Sequence, residues 1–70
     1  VASRVTLHEL ARELNRLVER RQVLEKELLR VTLAQSWNFV HVRKTELEYV
    51  MEQIKDLERR VARHRASAAP

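Results

Sequence analysis

Seventy residues make at most one small domain, and the absence of cysteine removes disulfides and zinc–thiolate sites as staples for a marginal core. There is no glycine and the single proline is Pro70, so nothing between residues 1 and 69 forces a helix to stop, and strands lack both their alternation and their turn residues. Fourteen basic and ten acidic residues leave a net charge of +4, divided evenly between the two halves, and the 34% of charged residues fits a helical, coiled-coil-like class.

No apolar run approaches the roughly 20 residues of a bilayer span, and no signal-peptide layout opens the chain. A location inside the cell, in cytoplasm or nucleus, is the expectation that follows. The first residue is Val rather than Met, as in a processed chain or an excised fragment.

Residues 1–5 read as a lead-in. Thr6-Leu7-His8-Glu9 has the form of a capping box: the Thr hydroxyl accepts from the amide three residues on, and the Glu reaches back. Val5 and Leu10 stand where a hydrophobic staple would place them. These signals predict helix 1 over 6–34, with Leu7 as its first helical residue. Its apolar residues Leu7, Leu10, Leu14, Leu17, Leu24, Leu28 and Val31 recur at alternating threes and fours, interrupted at Arg21. That is the period of an amphipathic helix with a narrow coiled-coil seam. Ala11 and Val18 widen the stripe, which suits a bundle with more than one neighbour. Val23, Leu29 and Leu33 lie off the seam, either as a second contact surface or as scattered exposed aliphatics. Arg21 on the seam either fixes register against a partner's carboxylate or packs its stem and lifts its head to water.

Residues 35–45 interrupt the pattern with mediocre helix formers, among them Ser36, Asn38 and Thr45. This stretch is expected to be a connector. Thr45-Glu46-Leu47-Glu48 repeats the capping-box form, so helix 2 is expected over 46–65, with a flexible tail at 66–70. The second seam comprises Leu47, Val50, Ile54, Leu57 and Val61, with Met51 beside it. It falls two residues short of the first seam's register, and two residues turn a helix face by about 200°. On one straight rod the stripes would point to nearly opposite sides. A break lets the second helix fold back and bury both.

The fold class expected is therefore all-α: a two-helix antiparallel, coiled-coil-like hairpin, assembling into a four-helix bundle. The competing architecture is one long continuous helix in a coiled coil. It is favoured by the lack of Gly and Pro and by Leu33, Trp37, Val40, Lys44 and Leu47, which keep helical spacing across the suspected break.

No residue set argues for catalysis. His8, His41 and His64 are never at helix-neighbour spacing, and no His-Glu-x-x-His arrangement occurs, so neither metal nor cofactor is expected. His64 continues the second seam and reads as an end-of-core residue. Glu9–Arg12, Glu13–Arg16, Glu27–Arg30, Glu52–Lys55 and Asp56–Arg59 are acid-before-base pairs at i, i+3, each adding about 0.2–0.5 kcal/mol to a solvated helix face. Trp37 and Phe39 crowd the connector, either as an exposed hot spot or as plugs for the hairpin end. The tripeptide Trp37-Asn38-Phe39 resembles the turn of the WXG-type secreted helical hairpins in its Trp alone; the Gly of that motif is absent, and no property of that family is carried over.

Two functions compete. One is a non-enzymatic oligomerisation or protein–protein interaction module, a scaffold or adaptor segment that binds a second copy or a helical partner. Its interface would be Leu7, Leu10, Leu14, Leu17, Leu24, Leu28, Val31, Trp37, Phe39, Leu47, Val50, Met51, Ile54, Leu57 and Val61. The other is a basic module on nucleic acid or chromatin through Arg59, Arg60, Arg63 and Arg65. It lacks a continuous basic face and neighbouring aromatics for base stacking. Anionic membrane binding is disfavoured further by the mixed charge of the polar faces.

Overall fold

The structure is a computed structural model and describes residues 6–68. It is an all-α antiparallel hairpin of two helices, α1 (Leu7–Leu33) and α2 (Trp37–Ala68), which pack against each other along their length.

Helix α1 starts where the sequence says it should. Thr6 is the N-cap in extended backbone geometry, and its Oγ1 accepts from the Glu9 amide at 3.2 Å. One donor that the first turn would otherwise leave unpaired is thereby satisfied. Val5, the other half of the proposed staple, lies outside the described residues, as does the rest of the 1–5 lead-in.

The end of α1 is where the expected boundaries give way. The connector is three residues, 34–36, not 35–45. Ala34 caps α1, Gln35 adopts φ 56°, and Ser36 turns the chain into α2. The Gln35 amide donates to the Thr32 carbonyl at 3.0 Å and the Ser36 amide to the Val31 carbonyl at 2.9 Å. These are the paired bonds of a Schellman motif, closed by a left-handed residue that is usually glycine. Here a glutamine takes the left-handed position, at a steric cost of roughly 1–2 kcal/mol for a residue with a Cβ. Ser36, a favoured N-cap residue type, then offers its carbonyl to the Val40 amide at 3.0 Å.

Thr45 consequently does not cap anything. It lies about a quarter of the way along α2, and its hydroxyl donates back to the His41 carbonyl at 3.0 Å, as Thr32 does to Leu28 at 2.6 Å. Mid-helix Thr residues commonly bond one turn back in this way. The connector signal at 37–45 was therefore helix with poor propensity, outweighed by packing against α1. At the other end α2 continues to Ala68, so residues 66–68 are helical rather than tail; residues 69 and 70 lie outside the described residues.

The hairpin measures 53 × 24 × 14 Å. Its thickness is little more than one helix with side chains, about 10–12 Å. Its radius of gyration, 16.0 Å, exceeds the roughly 11 Å of a compact 70-residue domain. The core is correspondingly thin: Leu10 and Leu24 from α1, and Val50, Ile54 and Leu57 from α2, are the buried apolar residues among those described. Leu24, Val50 and Ile54 form its centre, with Leu14, Leu17, Val18 and Leu47 packed partly against them.

Replacing Gln35 by Gly should stabilise the hairpin by about 1 kcal/mol, because the left-handed turn then costs no Cβ clash. Urea unfolding followed by circular dichroism measures this. A Gln35→Gly variant less stable than the parent would mean that the turn is not built as described.

Candidate interaction surface

The two seams meet between the helices and are shared unequally. Of the fifteen apolar residues expected at an interface, Leu10, Leu24, Val50, Ile54 and Leu57 are buried within the hairpin itself. Leu14, Leu17, Leu28, Val31, Leu47 and Val61 are half-buried. Leu7, Met51, Trp37 and Phe39 are exposed, so the two aromatics at the turn do not plug the hairpin end. The seam is thus first an intramolecular contact, and only its margins are open to a second molecule.

Charges lock one side of the hairpin. The Arg43 guanidinium donates through Nε to Glu27 Oε2 at 3.0 Å and through Nη1 to Glu46 Oε1 at 2.6 Å. Glu46 Oε2 is in turn 3.5 Å from Arg20 Nη2. The four residues form a chain, Arg20–Glu46–Arg43–Glu27, that crosses between the helices twice. The hydrogen bond that Arg43 donates to Glu27, with the neighbouring charge of Glu46, raises the Arg43 pKa above its ordinary value. A raised basic pKa contributes stability at every pH below the ordinary guanidinium range and loses it only above that range, so Arg43 stays charged throughout any pH at which the chain is handled.

This chain of charges was missed in the sequence because Arg43 sits inside the supposed connector and Glu27 had been assigned to Arg30. Of the expected i, i+3 pairs, Glu13–Arg16 forms, at 3.7 Å. Asp56 pairs instead with Arg60, one turn on at 3.2 Å. Arg21, the polar break in the first seam, is half-buried and pairs with Glu25 of its own helix at 3.3 Å. Its Nε is covered by protein and lacks hydrogen-bond geometry even to that carboxylate.

The opposite side of the hairpin carries more open apolar residues, with the Arg21–Glu25 pair among them. At about 100° per residue, Leu7, Ala11, Leu14, Val18 and Leu29 share one flank of the α1 seam, whereas Glu13, Arg20 and Glu27, spaced by sevens, share the other. Met51 lies about 140° around α2 from Glu46. That puts it on the side away from the charge network, next to Leu47. Val18 was expected to widen the stripe, and it does: it is half-buried against the core cluster and half open. Val23, Val42 and Tyr49 are exposed elsewhere.

Of the four arginines near the chain end, Arg59, Arg60 and Arg63 fall within about 100° of one another around α2. Arg59, Arg60, Arg63 and Arg65 are all exposed, but Arg65 projects about 200° around α2 from Arg63, and Arg60 is engaged by Asp56. Arg60 and Arg63 line a shallow surface depression with Leu10, His64 and Ser67. His64 is exposed rather than part of the core. Among the described residues no group of three or more His, Asp or Glu is placed to hold a metal ion, and no helix is long and apolar enough to cross a membrane.

Compared with known protein families, curated proteins and solved structures, the chain finds no match.

Replacing Arg43 by Gln should lower the urea midpoint at low salt, and the deficit should shrink as salt rises from 0.1 to 1 M and the Debye length falls from about 10 to 3 Å. Equal midpoints for variant and parent at low salt would show that the network contributes nothing.

Proposed function

We propose that the hairpin is a non-enzymatic helical interaction module that works by pairing its apolar side with a second copy of itself, or with a helical partner of like shape, to build a bundle. One observation carries this reading: two helices in a single layer leave partly open apolar residues along one flank, beside a core of five buried residues among those described. The surface is large for the mass. The chain exposes 6067 Å², where a compact protein of 8.3 kDa is expected to expose about 4,600 Å². The excess is more than the roughly 800 Å² that each partner contributes to a standard interface.

The two sides divide the work. The Arg20–Glu46–Arg43–Glu27 chain holds the hairpin's own register. Leu7, Ala11, Leu14, Val18 and Met51 offer area to a neighbour. The Arg21–Glu25 pair interrupts that flank and supplies a charged mark by which a partner's register is selected, as single polar positions do in coiled coils. The nucleic-acid alternative has Arg59, Arg60 and Arg63 within about 100° of one another around α2, but Arg60 is paired with Asp56 and Arg65 points away from them.

Sedimentation equilibrium and thermal melts at several concentrations test the proposal. Association should appear at micromolar concentration, and the melting temperature should rise with concentration, because folding is then linked to assembly. Val18→Asp should weaken association by 10-fold or more, since burying an unpaired carboxylate costs several kcal/mol. Ile54→Asp should abolish helicity as well, because Ile54 is buried within one chain. A monomer with a concentration-independent melt overturns the reading.

A further inference from the structure

The mixed charge of the helix faces stops short of the turn. All ten carboxylates of the chain lie at or before Glu27 or at or after Glu46, so the eighteen residues 28–45 hold none. Within that stretch stand Arg30, His41, Arg43 and Lys44. Arg43 is engaged by Glu27 and Glu46, which leaves Arg30 and Lys44 as the exposed cations of the turn end.

The same end carries four of the five most exposed large apolar side chains among the described residues, Tyr49 being the other. Leu33 is 76% exposed, Trp37 62%, Leu29 61% and Phe39 57%, with Val42 also open. They are held in place: the hydrogen bonds from the Gln35 and Ser36 amides to Thr32 and Val31 fix the turn from which they project.

The arrangement is ordered along the hairpin's long axis. Counting about 1.5 Å per residue from Gln35, Leu33, Trp37 and Phe39 fall within about 6 Å of the end. Arg30, Leu29, His41 and Val42 follow at about 8–11 Å. The first carboxylate, Glu27, comes at about 12 Å and is already paired with Arg43, and Lys44 stands beside that pair at about 14 Å. An apolar tip, then a band that holds Arg30 and no carboxylate, then mixed charge that includes Lys44, is an axial order. It matches a flat boundary met end-on, whose depth profile runs from acyl chains through phosphates to water, and the 5–10 Å to which interfacial apolar groups enter a bilayer. A helix laid in a groove would require its zones to run along a flank instead. A second copy met tip to tip would offer no carboxylate within about 12 Å of the end to pair with Arg30.

We propose that the hairpin tip docks on the surface of an anionic lipid bilayer, with Leu33, Trp37 and Phe39 entering the interface and Arg30 and Lys44 contacting lipid phosphates. Tryptophan suits such a boundary, having an apolar body and one polar N–H. Long basic side chains reach back to the headgroups while their stems stay apolar. The proposal does not rest on self-association, since the tip lies outside the α1 flank assigned to that role.

Trp37 is the chain's only tryptophan, so its emission reports on the tip in the unmodified protein. Vesicles of phosphatidylcholine with about one-third phosphatidylserine should shift that emission to the blue and carry the protein down on centrifugation, and both effects should weaken with salt. Phosphatidylcholine alone should do much less. Arg30→Gln and Lys44→Gln should each weaken partition about fivefold, and Leu33→Ser with Phe39→Ser should abolish it while circular dichroism stays that of the parent. Unmoved emission and no co-sedimentation with anionic vesicles overturn the proposal. So does binding that survives Leu33→Ser with Phe39→Ser but is lost in Arg59→Gln with Arg63→Gln. Emission that ignores vesicles yet shifts with an acidic amphipathic peptide assigns the tip to a protein partner and equally overturns it.

Discussion

Everything in this molecule follows from each helix having a single neighbour. A helix in a bundle core is covered on two or three sides; here α1 covers one side of α2 and receives the same in return. An apolar stripe wider than the contact line then cannot be buried by the chain alone. That is why, among the described residues, only Leu10, Leu24, Val50, Ile54 and Leu57 leave solvent, why seam residues such as Leu14 and Leu47 stop halfway, and why the hairpin is long and thin. The interaction surface is not an addition to the fold. It is what two helices of this composition have left over.

The leftover is organised by charge. Glu27 and Glu46 are each satisfied by Arg43, and Glu46 also approaches Arg20, which commits one side of the layer to closing the hairpin. A second layer over that side would have to strip water from four charged groups, whereas the opposite flank, from Leu7 to Val18 with Met51 across from it, is mostly apolar. A thin core supplies attraction without much specificity; the ionic contacts set which residues of α1 meet which of α2.

The hairpin, the start of α1 and the core positions could be read from spacing alone, because a periodic stripe and a Thr-x-x-Glu cap are local signals that tertiary contacts reinforce. The turn could not be placed. It uses Gln35 in a conformation that sequence rules reserve for glycine or asparagine, so no breaker marked it, while Thr45-x-x-Glu48 offered a false start nine residues too late. Misplacing that boundary also hid Arg43, since a residue assigned to a connector is not counted among helix-face partners. The exposed tip was legible only as a question about Trp37 and Phe39. Whether side chains at a turn fold inward or project depends on the turn's direction, which the backbone at residues 34–36 decides.

That backbone conformation also sets how freely the chain can drift in sequence. Ordinarily an exposed polar site accepts nearly any replacement and a buried one accepts few. Gln35 is exposed yet held at positive φ, where a β-branched side chain fits badly. Valine, isoleucine and threonine are therefore excluded there by local sterics, although no contact would be broken. Tolerance at this position is set by a backbone angle and not by how much of the side chain meets water.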